Sequence, residues 1–150
     1  MREIKSSAAG IAKQPIQQCY EHLADLEHYS DWYPETIKAV TVLERDGDGQ
    51  VASAELAMEA VIGPVRRNFE VKVRLERDPQ SALALVKIPL NDADKETLTI
   101  SWTLAEESAD STAIKLEMQA ALDVPFFVPV AQLAEQFAGG FLNAALTSLN

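Results

Sequence analysis

Between residues 40 and 123, apolar and polar side chains alternate with period two, the pattern of strands that bury one face and solvate the other. The clearest segment sets Val65, Arg67, Phe69, Val71, Val73 and Leu75 on one face, with Arg66, Asn68, Glu70, Lys72, Arg74 and Glu76 opposite. The same phase turns Leu98, Ile100, Trp102 and Leu104 inward on a later strand, and Ile114, Leu116, Met118, Ala120 and Leu122 inward on the last. Turn residues at Asp46-Gly47-Asp48-Gly49, Gly63-Pro64, Asp78-Pro79, Asn91-Asp92 and between Glu107 and Ser111 divide the run into a meander of long hairpins.

Ahead of the meander, residues 2–12 predict a strand whose small side chains, Ser6, Ser7, Ala8, Ala9 and Gly10, let another element approach its backbone. Pro15 suits a first helical turn, and Ile16, Cys19, Tyr20 and Leu23 then recur at helical spacing through Ala24. Tyr29-Ser30-Asp31-Trp32-Tyr33-Pro34 is stopped by proline and reads as a single turn or short second helix. Residues 130–149 predict a closing helix with Leu133, Phe137, Phe141 and Ala144 on one stripe, widened by Leu142, Ala145 and Leu149. Its sole charge is Glu135, so it must be largely buried, and Gly139-Gly140 permits a bend or close packing.

These elements predict an α+β fold: a curved antiparallel sheet around one long C-terminal helix, with two short helices after the first strand. About seven strands at ~4.8 Å spacing make a sheet roughly 30 Å wide, whereas a helix with its side chains is ~10–12 Å across. One helix cannot cover that face, so an apolar cavity between helix and sheet is expected.

Composition narrows the partners. At 150 residues, with 47% hydrophobic and 24% charged side chains, the chain suits a single domain spanning 1–150. A formal net charge of -10 repels phosphate backbones, which argues against nucleic acid. Cys19 stands alone and cannot form an internal disulfide, and Met1-Arg2-Glu3-Ile4-Lys5 lacks the apolar core of a signal peptide, so a cytoplasmic location is expected. The most apolar stretch, 120–134, contains Asp123 and is broken by Pro125 and Pro129, so stable membrane insertion is not expected. Its Val124-Pro125-Phe126-Phe127-Val128-Pro129 portion reads as an apolar gate, a point of transient membrane contact, or a staple between helix and sheet.

Leu23-Ala24-Asp25-Leu26-Glu27-His28-Tyr29-Ser30-Asp31-Trp32-Tyr33-Pro34-Glu35, followed by Val42-Leu43-Glu44, resembles the START-like (SRPBCC) superfamily. The likeness is to its polyketide cyclase/dehydrase and lipid-transport branch, near coenzyme Q-binding proteins. Gly63-Pro64-Val65-Arg66-Arg67 and Ser101-Trp102-Thr103-Leu104 agree with that branch, and the resemblance spans essentially the whole chain. It implies the helix-grip fold. The superfamily holds aromatase/cyclases, quinone and lipid carriers, hormone receptors and plant allergens, so fold alone selects no single activity.

The cavity lining this predicts comprises Trp32, Tyr33, Met58, Arg67, Phe69, Val71, Leu85, Ile100, Trp102, Met118, Phe127, Leu133, Gln136, Phe137 and Phe141. Arg67, in phase with Phe69 and Val71, either anchors a ligand carboxylate, carbonyl or phenolate, or lies at the rim and reaches water or a glutamate. Trp32 and Tyr33 either form an aromatic lip or pack a short helix. Gln136 is the expected cavity-facing amide of the last helix, with Gln132 and Asn143 solvated. Cys19, His22 and His28 are too few and too local for a metal site, and no phosphate loop, nucleophile elbow or paired catalytic acid is present, so no cofactor is expected. Three readings follow: a binder or carrier of a hydrophobic lipid, quinone or polyketide-like molecule; a polyketide cyclase/dehydrase, with Arg67 and Tyr33 as weak catalytic candidates; and a protein-interaction module of unspecified partner.

Overall fold

Strand β1 (Arg2–Ala12) leads into helix α1 (Ile16–Ala24), a 3-10 turn (Leu26–His28) and the single-turn helix α2 (Tyr29–Trp32). Six strands follow: β2 (Ile37–Arg45), β3 (Val51–Ile62), β4 (Val65–Asp78), β5 (Ala82–Lys87), β6 (Thr97–Ser108) and β7 (Ser111–Leu122). Helix α3 (Val130–Leu149) closes the chain. This is a computed structural model describing residues 1–62, 65–79 and 81–150, excluding the side chains at 61, 62, 65 and 67. The expected Gly63-Pro64 turn and the Arg67 side chain therefore lie outside the described residues.

All seven strands form one antiparallel sheet in the order β1-β7-β6-β5-β4-β3-β2. Three register shifts in β2 twist that edge, and Lys38, Glu44 and Arg45 charge it against further pairing. The opposite edge, β1, lies under α3. Gly10 explains how: a Cβ there would come within 2.6 Å of Leu146 Cδ1, so the helix rests where the strand has no side chain. The expectation drawn from the small residues of β1 is met.

The helix's buried stripe differs from the expected one. Ala134, Ala138, Phe141, Leu142, Ala145 and Leu149 are buried, whereas Leu133, Phe137 and Ala144 are only half-buried. Small alanines make the closest approach and the larger side chains flank it, which rotates the contact surface away from a stripe centred on Phe137.

Gly139 and Gly140 are adjacent yet differ. A Cβ at Gly139 meets nothing within 4 Å, whereas one at Gly140 would sit 3.0 Å from the Tyr33 hydroxyl oxygen. Gly139→Ala is expected to raise stability by up to about 1 kcal/mol through helix propensity. Gly140→Ala should gain nothing or lose about 1 kcal/mol by overpacking, and should behave like Gly139→Ala in a Tyr33→Phe background. Urea midpoints of the variants check this, and equal gains at both positions in the native background would refute the tight Gly140–Tyr33 contact.

Candidate functional site

The width argument leaves space beside α3, and aromatic rings from the 29–33 segment occupy much of it. Phe141 is the hub, with ring centroids 5.7 Å from Tyr29, 5.7 Å from Trp32, 4.9 Å from Tyr33, 5.2 Å from Trp102 and 5.5 Å from Phe137. The structure thus brings together five of the expected lining residues, Trp32, Tyr33, Trp102, Phe137 and Phe141, packed against one another. Trp32 lies over Tyr29 and Phe141, and Tyr33 is buried, so the pair packs the short helix and forms no open lip. Tyr29, not singled out from sequence, is wholly buried and donates its hydroxyl proton to the Leu23 carbonyl. Burial pushes the Tyr29 and Tyr33 phenols up, so near neutrality both are protonated donors.

Toward the end of the sheet where β3 finishes and β4 begins, the cover gives out. Leu75, Leu85, Ile100 and Met118 form one inward row across β4 to β7 by successive pairing. Val73 and Lys87 pair in the next row toward the open end, and Val71 and Phe69 lie beyond. Val71 and Met58 are buried, yet Phe69, paired with Met58 and in the same inward phase, is 40% exposed. The contacts of α3 are with β1, β7, α1 and α2, which places the helix over the other side of the sheet. On the helix side Leu133 and Phe137 are half-buried, Phe137 against Tyr33 and Phe141. An open concavity of about 580 Å³ near this rim takes most of its lining from the outward phase of β3 and β4, Ala57, Glu59, Asn68 and Glu70, with Lys38, together with the inward-phase Met58 and Phe69. A second, of about 360 Å³, lies on the outward-phase side of β1, β7 and β6, over Ala9, Ile11, Thr103, Ala105, Ala113 and Lys115.

One charged pair enters the inner face near the open end. Lys87 follows Leu83 and Leu85 in phase, so its stem runs along the apolar side, and its ammonium bonds the Asp94 carboxylate. Their side chains are 13% and 10% exposed. Asp94 also accepts the amides of Leu90 at 2.9 Å and Glu96 at 3.2 Å, fixing the loop 88–96 onto β5. These hydrogen bonds and the Lys87 ammonium hold the Asp94 carboxyl down at about 2. Strand alternation alone would have flagged Lys87; only the fold reveals its partner.

The other candidates fall elsewhere. Gln136 is exposed, as are Gln132 and Asn143, because the rotated stripe of α3 turns all three to solvent; the expected cavity-facing position of Gln136 is corrected. Phe127 stands out from the body, 74% exposed. His22 accepts from or donates to Ser148 across α1 and α3 at 2.7 Å, and desolvation lowers its basicity. Asp25, Glu27 and His28 put one potential ligand atom each within 4.8 Å of the others, but Asp25 is bonded to His28 at 2.7 Å and Glu27 to Arg45 at 2.8 Å.

The sequence that folds into this sheet around one helix is matched over residues 13–149 by a family model described as polyketide cyclase/dehydrase and lipid transport. The chain belongs to that family. Among solved structures, a START superfamily protein from Mycobacterium smegmatis has a TM-score of 0.80 at 16% identity, covering 97% of this chain and 96% of that one. The Zhui aromatase/cyclase from Streptomyces sp. R1128 has a TM-score of 0.73 at 16% identity, covering 99% and 94%. The ginseng major latex-like protein 151 follows at 0.69 and 10% identity, covering 98% and 97%. At these identities the likeness establishes the helix-grip fold alone. No curated protein matches the sequence at a significant level. Among the described residues no helix is long and apolar enough to cross a membrane.

Because Asp94 titrates at about 2 when folded and near ~3.9 when unfolded, its contribution is present above pH ~4 and is lost as pH falls toward 2. Urea melts of the protein and of Asp94→Asn should differ above pH ~4 and converge over that window. A gap between the two that is unchanged from pH 7 to the acid limit would contradict the assignment.

Proposed function

We propose that the protein binds a hydrophobic small molecule, of lipid, quinone or aromatic polyketide-like class, in the open cleft between the starting half of α3 and the inner face of β3 to β5. The observation that carries this reading is Phe69, an inward-phase side chain left 40% exposed beside buried Met58 and Val71. An apolar surface that the fold itself does not cover gains free energy when a ligand covers it. The family description, which names both polyketide cyclase/dehydrase and lipid transport, supports the ligand class. Phe137 and Leu133 would form the helix-side wall, and Lys87 the polar element nearest the opening.

A second reading, a cyclase/dehydrase acting on a poly-β-ketone, is favoured by the fold shared with the Zhui aromatase/cyclase and by the protonated Tyr33 hydroxyl. In that reading a phenol donates to a ketone oxygen and stabilises the enolate that forms as an adjacent carbon loses its proton. The Tyr33 ring stands 6.4 Å from Phe137, which this reading places on the cleft wall.

Titration with a neutral polycyclic aromatic probe is expected to shift the amide resonances of Met58, Phe69, Val71 and Phe137 and to leave those of Ala9 and Ala113 in place. Phe69→Ala should weaken binding about tenfold, or ~1.4 kcal/mol. Shifts confined to the Ala9–Ala113 side, or none, would remove the cleft from consideration. Conversion of a model poly-β-ketone that disappears in Tyr33→Phe, with probe affinity retained, would select the enzymatic reading.

A further inference from the structure

The loop joining β7 to α3 presents two aromatic rings that the core does not use. Phe126 is 90% exposed and Phe127 is 74% exposed, and the two stand edge to face at a centroid distance of 5.9 Å. Residues 124–134 contain no charged side chain. The loop is nonetheless braced: Arg2 donates to the Pro125 carbonyl at 2.8 Å and the Val128 carbonyl at 2.7 Å, and the Val128 amide donates to Pro125 at 3.1 Å. Leu90, 70% exposed, belongs to the loop 88–96, which the bond from the Asp123 amide to the Glu96 carboxylate, 3.0 Å, ties to the same end of the sheet.

The geometry points to a lipid-docking tip: we infer that Phe126 and Phe127 insert into the interfacial layer of an electrically neutral bilayer. Two observations select a bilayer over a protein surface or a second copy of the chain, and a third selects the lipid. At these exposures the two rings offer roughly 300 Å² in all, far short of the ~800 Å² per partner of a stable protein interface. A bilayer needs no such complementary area, because a few rings partition into it one by one. The carbonyls of Pro125 and Val128, which would otherwise resist leaving water, already accept from the Arg2 guanidinium. The net charge of -10, to which the two loops of this end add Asp92, Glu96 and Asp123 against Lys95, with Asp94 paired to Lys87, disfavours anionic headgroups and sets the preference for neutral lipid. The inference requires no ligand in the cleft and stands apart from the binding function proposed above.

Flotation of the full chain with phosphatidylcholine vesicles tests it. The protein should co-float, adding phosphatidylglycerol should reduce the bound fraction, and Phe126→Ala/Phe127→Ala should reduce it at least about tenfold with an unchanged thermal midpoint. Phe126→Trp should float like the parent and be quenched by brominated acyl chains. The inference is overturned if the parent stays with the buffer, if the double variant floats equally well, or if the variant changes only self-association in sedimentation velocity. Probe binding in the cleft, measured on the same double variant, separates the two ideas, since docking can fail while the cleft still binds.

Discussion

A seven-stranded sheet is about three times as wide as the single long helix that packs on it, and the rest of the molecule is a response to that mismatch. The helix cannot lie centrally and leave two equal gaps, because one strand alone offers it a bare backbone. Gly10 and its small neighbours draw α3 onto β1 and β7, where Leu146 and Leu142 rest against the missing side chain. Moving the helix to one edge concentrates the uncovered area at the other. The chain fills the middle of that area with the 29–33 segment, whose rings converge on Phe141, and runs out of cover at Phe69.

Much of this was legible from residue order. Period-two alternation placed the strands and their inward faces, turn residues separated the hairpins, and small side chains marked β1 as the strand to be approached closely. What escaped was the consequence of size for helix packing. The pattern centred α3 on Phe137 because large apolar side chains dominate a periodicity reading, whereas the tightest contact is made by Ala134, Ala138 and Ala145. That rotation exposes Gln136 and leaves Phe137 half-buried. The state of Phe69 was equally hidden, since alternation assigns a face and says nothing about whether another element covers it.

The polar contents of the inner face follow the same logic. Near the open end Lys87 keeps the inward phase of its strand, and its charge is tolerated because Asp94 meets it at once and two backbone amides hold the carboxylate in place. At the opposite end Arg77, in phase with Leu75, bonds the Val51 carbonyl at 2.7 Å and Asp46 at 3.2 Å. Among the described side chains, charge thus stands at both ends of an inward surface that is apolar between them along β4 and β5. For the proposed ligand such an arrangement would supply apolar walls between two ion pairs, Lys87–Asp94 at the open end and Arg77–Asp46 at the other.

This distribution bears on chemistry as well as on binding. A cyclisation needs a group that removes a proton and a group that steadies the oxygen acquiring charge. Tyr29 and Tyr33, raised by burial, can donate but are poor acceptors near neutrality, and the Asp94 carboxylate has its lone pairs engaged by Lys87 and two amides. His22 retains a free base form because desolvation disfavours its cation, yet it faces Ser148 where α1 meets α3, away from Phe69. Among the described residues Tyr29, Tyr33 and Lys87 are donors, and the carboxylates nearest Phe69 along the strands, Glu59 and Glu70, lie in the opposite, outward phase of the sheet. On the proposed reading such a cleft would hold and orient a carbonyl-bearing hydrophobe, with water as the acceptor of any proton removed.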